Sequence, residues 1–398
     1  MVGRFFGSLF RPNPTHPEGL INSPHPDPFR VVDVSAVMLP KSGPQREPPR
    51  PLEFRQAGYN DRFEFRTLFY DVFRTPNGVR LSGPPLLNLR NLARQGKFRL
   101  DGHRRRPTVH DGNRTLFGHI RYDQPAERLA IKIANLETEV SVQADESTTF
   151  DGRRVVMAWQ KNNRLEWIAD WADFYVRAHR ADAVLIYDGS DHYSPDELLQ
   201  VLRKIGGLSA AIVVKWPFDV GPMGVGNRYW DSDFSQYGAF EHARHRFVRG
   251  ARGLLNADID ELVVDKQGLS LFDRLELSES GALSFRGHWL TADIGRQPAR
   301  HRDHLATTLG AETCGAKWAV VPSRVPKRAQ FAVHEILRME APLSPDLWFR
   351  HFRNVSLGRH ITRRDVEDST LGPIDDEWVR TMDMIGWHGP HETAGDER

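Results

Sequence analysis

From residue 153 onward, short unbroken apolar runs alternate with stretches in which apolar residues return every three or four positions. Residues 155–159 (Val-Val-Met-Ala-Trp) predict a buried strand, and Leu165, Ile168, Ala169, Ala172, Tyr175 and Val176 then mark one face of a helix. A second strand is expected at 183–187. After it, Ser194-Pro195-Asp196-Glu197 supplies an N-cap, a proline for the first turn and the acid of a capping box, and Gly206-Gly207 closes the helix. A third strand at 210–215, a helix over about 236–249 ending before Gly250, and a fourth strand at 253–257 complete the series. Strands alternating with helices of this length predict βαβ units, and so an α/β domain around a mostly parallel, Rossmann-like sheet.

Upstream the pattern changes. Residues 53–150 carry short β-like runs, such as 63–70 and 129–134, separated by Gly, Asn-Gly and Asp-Gly turn signals, which predicts a small β-rich domain. Residues 11–52 contain eleven prolines and read as a wrapped or loose lead-in. The expected organisation is a lead-in at 1–52, a β-rich accessory domain at 53–150, the main domain at 151–365 and a tail at 366–398. No internal repeat points to a solenoid or propeller.

Composition narrows the function classes. The 54 Lys+Arg nearly balance 52 Asp+Glu, for a net charge of +2 in 398 residues, so no global field drives the chain onto nucleic acid. Only nine of those cations are lysine, and arginine suits bidentate phosphate and carboxylate contacts. A single cysteine, Cys314, excludes an intramolecular disulfide framework and a cysteine-based zinc site. The N-terminal residues 1–11 lack a signal peptide's apolar core, and no run is long enough to span a bilayer, so a cytoplasmic protein is expected. Phe5, Phe6, Leu9 and Phe10 between Arg4 and Arg11 leave a peripheral membrane anchor as the alternative to a frayed terminus. Basic stretches at 104–106, 242–249 and 300–302 suit an acidic glycan or phospholipid, or are solvated faces.

In an open α/β sheet, ligands bind beyond the carboxyl ends of the parallel strands. The residues there are Lys161-Asn162-Asn163, Asp188-Gly189-Ser190-Asp191, Lys215 and Asp258-Ile259-Asp260-Glu261. Two carboxylates separated by one residue in extended backbone lie about 7 Å apart on one side. Such a pair can hold Mg²⁺ or Mn²⁺ against a diphosphate. Asp231-Ser232-Asp233 repeats the motif in a loop context and is read as a chance instance. Lys215 is a candidate point charge for a phosphate or base. A solvated strand end paired with arginine is the plain alternative for Asp258.

Lys161-Asn162-Asn163 with Glu166-Trp167-Ile168, the 184–190 strand and turn, Gln236, the 257–262 block, Lys317-Trp318 leading to Val333-His334, and residues 351–356 occur in an order that resembles the GT-A glycosyltransferases. In particular the chain resembles glycosyltransferase family 92 and family 2-like bacterial proteins over about 155–364. These relatives usually read Lys-Asn-Glu where this chain has Asn163. The resemblance implies a GT-A fold, a nucleotide-sugar donor and a glycan or lipid-linked acceptor. It implies that Asp188 bonds the donor's base or ribose with Lys161 and Asn162 beside it, and that His334 or His351 joins Asp258 and Asp260 at the metal. Family 92 members invert, which implies a carboxylate base on the acceptor side. Asp293, Asp303 and Glu312 are the candidates and Asp303 is chosen, while Glu261, next to the metal pair, is read as orienting it. The implied setting is surface polysaccharide synthesis. A non-catalytic nucleotide- or carbohydrate-binding scaffold is the competing reading. A haloacid-dehalogenase-type phosphatase fits less well, because its nucleophilic motif ends the first strand of its domain rather than the fourth.

Overall fold

Part of the proline-rich lead-in is built into the main sheet. Strand β1 (Phe29–Val32) pairs in parallel with a strand 182 residues downstream, from Phe29 opposite Ala211 to Val32 opposite Val214. In the computed structural model, residues 27–222, 231–292, 299–355 and 371–387 are described. The possible N-terminal anchor and Asp293 lie outside them.

The chain next forms two four-stranded antiparallel sheets. β2 (Asp71–Thr75), β3 (Gly78–Gly83), β6 (Thr108–Asp111) and β7 (Leu116–Arg121) make one, in the order β2-β3-β7-β6. β4 (Lys97–Leu100), β5 (His103–Arg105), β8 (Arg128–Ile133) and β9 (Leu136–Ser141) make the other, in the order β9-β8-β4-β5. Alternating residues such as Phe98, Leu100, Leu129, Ile131 and Ile133 point inward, so the two sheets share one apolar core.

The main unit continues with β10 (Arg154–Gln160), α1 (Leu165–His179), β11 (Ala183–Asp188), α2 (Pro195–Arg203), β12 (Ala210–Lys215), α3 (Phe234–Arg246), β13 (Gly253–Asn256), β14 (Glu261–Asp265) and α4 (Leu271–Leu277). It ends with β15 (Ala282–Thr291), β16 (Ala306–Thr308), β17 (Cys314–Val320), β18 (Leu343–Phe352), β19 (Leu371–Ile374) and α5 (Asp376–Met384). Among the described residues these strands and β1 form an eleven-stranded mixed sheet. The block β1-β12-β11-β10-β13 is parallel throughout. Beyond β13 the pairing with β17, and of β17 with β15, is antiparallel. The capping box at Ser194 and Glu197 forms as the sequence predicts.

Helices cover both faces, as parallel strands require. Val156, Ala158 and Ile186 face α1 and α2, whereas Val155, Met157 and Tyr187 face α3. Helix α3 is buried on nearly every side because the β-rich unit covers it in turn. A Cβ at Gly238 would come within 2.5 Å of the Tyr70 ring, so only glycine admits this approach.

Buried charges fasten the two halves together. Arg50, with no exposure, makes a two-pronged contact with Asp231 at 3.0 and 2.6 Å, and Tyr59 donates to the same carboxylate. Asp71 accepts from His242 at 2.9 Å and from Arg246 at 2.8 Å, both on α3. The Asp231-Ser232-Asp233 motif is thus spent on packing, since Asp233 also pairs with Arg114.

Two buried histidines set an acid limit. His179 donates from Nε2 to the Val263 carbonyl and accepts the Leu271 N–H at Nδ1, so its ring is neutral. His242, between Asp71 and the Tyr187 hydroxyl, is likewise held neutral. Burial lowers both below the ordinary histidine value. Their contribution is therefore complete above about pH 6.5 and is lost as pH falls through their folded-state values, by up to about 1.4 kcal/mol per pH unit each. His351 and Glu261, whose values are raised, work the other way and offset part of the loss, but His245 and His304, lowered to about 4 by burial, add to it. Urea unfolding midpoints should drop between pH 7 and 5, and a flat profile there would contradict this reading.

Candidate active site

The chain runs outward from β10 to β11 to β12, then α3 carries it back to place β13 on the other side of β10. The direction of winding therefore reverses between β10 and β13. Such a switch point leaves a crevice at the carboxyl ends of the strands. The 160–163 turn lies on one side of it and the 257–261 turn on the other.

Across the first three strands, Gln160, Asp188 and Lys215 stand in register. Asp188 is 4% exposed, and burial raises its pKa despite hydrogen bonds from Ser190. Its Oδ1 meets the Gln160 side-chain amide and the Ser190 N–H. Its Oδ2 is buried and has no hydrogen-bond partner among the described residues. Buried polar atoms are normally satisfied, so Oδ2 is the acceptor that a ligand N–H or hydroxyl would complete. The Asn163 Oδ1 and Asn256 Oδ1 atoms are in the same condition.

Gln160 is a candidate site residue that sequence reasoning did not single out. Its amide reaches Asp188, the Ser190 hydroxyl at 3.0 Å and the Tyr193 hydroxyl at 3.0 Å, and its carbonyl accepts from Asn163 N–H at 3.1 Å. A buried amide at the last position of an apolar strand was the available signal. Asn162 pins the neighbouring turn: its φ is 60°, its N–H donates to Ser190 and its side chain accepts from Asp191 at 2.9 Å. Left-handed backbone is tolerated by asparagine better than by most residues.

The other two candidates of the nucleotide side carry salt bridges. Lys161 meets Asp219 at 2.8 Å and Lys215 meets Asp33 at 2.9 Å, and both lysines are more than a third exposed. Exposed pairs of this kind open at little cost, which leaves both ammonium groups within the reach of an anion.

Across the crevice, β13 delivers Asp258 and Asp260. β17 runs antiparallel to β13 with Leu255 opposite Ala319, and two residues further along it Lys317 extends under the turn. Lys317 is 1% exposed and donates to Asp258 at 2.7 Å, with Glu261 3.0 Å away. Burial works against its charge, but the two carboxylates outweigh this and raise its pKa. Glu261 also accepts the Asp258 N–H at 3.0 Å, which fixes the turn. Burial pushes Glu261 up to about 7 even against Lys317.

Asp260 faces His351 of β18, with Oδ2 3.2 Å from Nε2. Burial alone favours a neutral ring, yet the Asp260 carboxylate raises His351 to about 10. Trp289 stacks on the same ring at 3.6 Å and the Cys314 thiol lies 3.7 Å from Nδ1, so its position is fixed from three sides. His334 is further out, on the exposed rim, with Nδ1 2.9 Å from the Ala316 carbonyl. Of the two histidines, His351 is the one brought against the acid pair.

Two carboxylates and an imidazole nitrogen are donor types that Mn²⁺ or Mg²⁺ accepts. Among the described residues no three His, Cys, Asp or Glu side chains converge on one point. The protein side of a metal site here would therefore be sparse, which suits a cation that takes its remaining ligands from substrate phosphates and water.

On the proposed acceptor side, Asp303 ends a 3₁₀ turn and its carboxylate accepts the Arg300 N–H at 2.7 Å. The flanking Arg300 and Arg302 are held by Asp170 on α1. Glu312 lies between β16 and β17, and no hydrogen bond of its side chain is seen among the described residues.

No helix among the described residues is long and apolar enough to cross a membrane. No protein-family model matches the chain, and no curated protein matches it. Among solved structures, the galactosyltransferase LgtC in complex with donor and acceptor sugar analogs aligns at 14% identity over 43% of this chain and 58% of that chain, with a TM-score of 0.23. Mouse xyloside xylosyltransferase 1 in its apo form aligns at 11% identity over 44% of this chain and 68% of that one, also with a TM-score of 0.23. This chain thus spans less than two thirds of the LgtC chain.

Proposed function

We propose that this protein is a metal-assisted glycosyltransferase that binds a nucleotide-sugar donor in the crevice between β10 and β13. The observation that supports it most is the pairing, across one switch point, of a buried carboxylate oxygen that has no hydrogen-bond partner among the described residues, Asp188 Oδ2, and an acid pair contacted by Lys317 and His351. One half can recognise a nucleoside and the other can manage a diphosphate's charge.

In this reading Asp188 accepts from the base or ribose, and Gln160 and Asn162 hold its turn rigid. Lys161 and Lys215 leave their exposed partners for phosphate. Asp258 and Asp260, joined by His351 only once its ring gives up its proton and shifts, would hold Mn²⁺ or Mg²⁺ together with substrate phosphates and water, and the cation when bound neutralises the charge that grows on the departing diphosphate. Lys317 pairs with Asp258 and keeps it aimed. The acceptor oxygen bonds to the anomeric carbon as the carbon's bond to the diphosphate breaks, and the acceptor's proton passes to a carboxylate. Asp303 remains our candidate for that base, on condition that it shares its oxygen with the Arg300 N–H. Inversion, a glycan or lipid-linked acceptor and a place in polysaccharide synthesis belong to the same proposal.

Lys317 favours one variant of this scheme. A buried ammonium already on Asp258 can itself supply positive charge at the diphosphate end, as a fixed cation. A panel of nucleotide sugars assayed in Mn²⁺, Mg²⁺ and chelator separates the two. Turnover that survives chelation assigns the neutralising role to Lys317, and its loss assigns it to the metal. If no donor is consumed and calorimetry detects no nucleotide binding, the transferase reading fails and a scaffold replaces it.

Asp188→Asn tests the nucleotide end. It keeps the shape but removes the charge and reverses one hydrogen-bonding atom, so donor KM should rise about 10- to 100-fold, with kcat changed far less. A fall in kcat at unchanged KM would move Asp188 out of the nucleoside pocket.

A further inference from the structure

Most arginines near an acid in this chain are paired with it, as in Arg90–Asp111, Arg128–Glu139 and Arg154–Asp273. The run Arg104-Arg105-Arg106 and the nearby Arg121 are different. Among the described residues none of the four has a carboxylate partner. Arg105 and Arg121 line a concavity of about 520 Å³ on the β-rich unit, with His103, Tyr122, Asp123 and Gln124. It lies where edge strand β5 of one sheet meets the end of β7 from the other, on a part of the molecule that the crevice does not use.

The position of Arg105 is built rather than loose. Its guanidinium sits 5.0 Å from the centre of the Tyr122 ring and donates to the Arg104 carbonyl at 3.0 Å, while Tyr122 is only 9% exposed. A cation held over an aromatic face with its remaining N–H groups unspent is ready for a planar anion. Asp101, the acid nearest in sequence, is not available to it, since its carboxylate accepts the Glu127 and Arg128 backbone N–H groups. The wall also carries acceptors, the Asp123 carboxylate and the Gln124 amide. A site for bare anions would not place a carboxylate there, whereas a ligand with both an anionic group and hydroxyls uses both kinds of wall.

We propose that this pocket binds an acidic saccharide, with a sugar carboxylate on Arg105 and Arg121 and ring hydroxyls on Asp123 and Gln124. A membrane surface fits less well, because the site is concave and has no exposed apolar side chain to insert. The inference does not rest on the transfer reaction and stands or falls separately from it.

Calorimetry on the full chain tests it, with tetragalacturonate as the probe and a neutral galactotetraose, polyglutamate and phosphatidylglycerol vesicles as comparisons. Tetragalacturonate should bind at least about tenfold more tightly than each comparison, and the Arg105→Gln, Arg121→Gln double variant should lose about tenfold or more at an unchanged melting temperature. Asp123→Ala decides between a sugar site and a generic basic patch: it weakens a saccharide by removing a hydroxyl acceptor but strengthens a bare polyanion by removing repulsion. The proposal is overturned if wild type does not bind tetragalacturonate or binds it no better than the neutral sugar. It is overturned equally if polyglutamate or vesicles bind as tightly, if the double variant binds like wild type, or if Asp123→Ala improves tetragalacturonate binding.

Discussion

Replacing Asp260 with asparagine should lower turnover about 10²- to 10³-fold, a loss of roughly 3–4 kcal/mol of transition-state stabilisation. Asp258→Asn should fall in the same range, because the two carboxylates flank one turn and, in the proposed reaction, would serve one diphosphate. Asparagine preserves volume and, at position 258, can still accept from Lys317, so melting temperatures should move little. This separates loss of chemistry from loss of fold. Direct titration of Mn²⁺ in the presence of nucleoside diphosphate gives a second readout, and affinity should fall in both variants. Turnover within about threefold of wild type for both would remove the acid pair from the reaction.

Lys317→Met should be the most destabilising single change at the site, by about 3–5 kcal/mol at neutral pH. The ammonium is buried between Asp258 and Glu261, so its removal leaves Glu261 without a counter-charge in a low-dielectric pocket, where it must either stay ionised unpaired or take up a proton. The sign of the pH dependence follows. Glu261 is already raised to about 7 with the lysine present, and its loss raises it further. A carboxyl group whose folded-state pKa lies above its unfolded value destabilises the fold once it must ionise, so lowering the pH from 8 to 6 should recover much of the loss. Glu261→Gln in the Lys317→Met background should recover it without a change of pH. Urea unfolding of the two variants at pH 8 and 6 measures this, and a loss that neither acid nor the second substitution reduces would mean that packing around Lys317 matters more than its charge.

The parallel half of the sheet was legible because its signals are local. The apolar run at 155–159, the helical spacing from Leu165 and the capping box at Ser194 each involve neighbours in the chain, and each element forms where expected. The positions of Asp188 and Asp258 at strand ends followed from the same pattern. What the sequence concealed depends on distant partners. Strand β1 is four residues between Pro28 and Asp33, too short to carry a period, and exists because β12 has an open edge. Lys317 gave no sign of meeting Asp258, since that contact needs β17 to run antiparallel beside β13. His351 needed β18 to lie between β14 and β15, which brings Glu261 and Trp289 to its two sides. Helix α3 lacks a polar face, so its spacing could not tell that a second layer covers it.

The salt bridges that join the N-terminal part of the chain to α3 and the residues just before it bear on how this protein could be re-engineered. Because Asp71 neutralises Arg246 and Arg50 neutralises Asp231 without access to water, neither half closes its own charges when alone. The β-rich half is therefore not an interchangeable cassette. A chimera that grafts it onto another protein, or a fragment shortened to the α/β half, must carry these four residues together or replace them together with apolar ones of matching size.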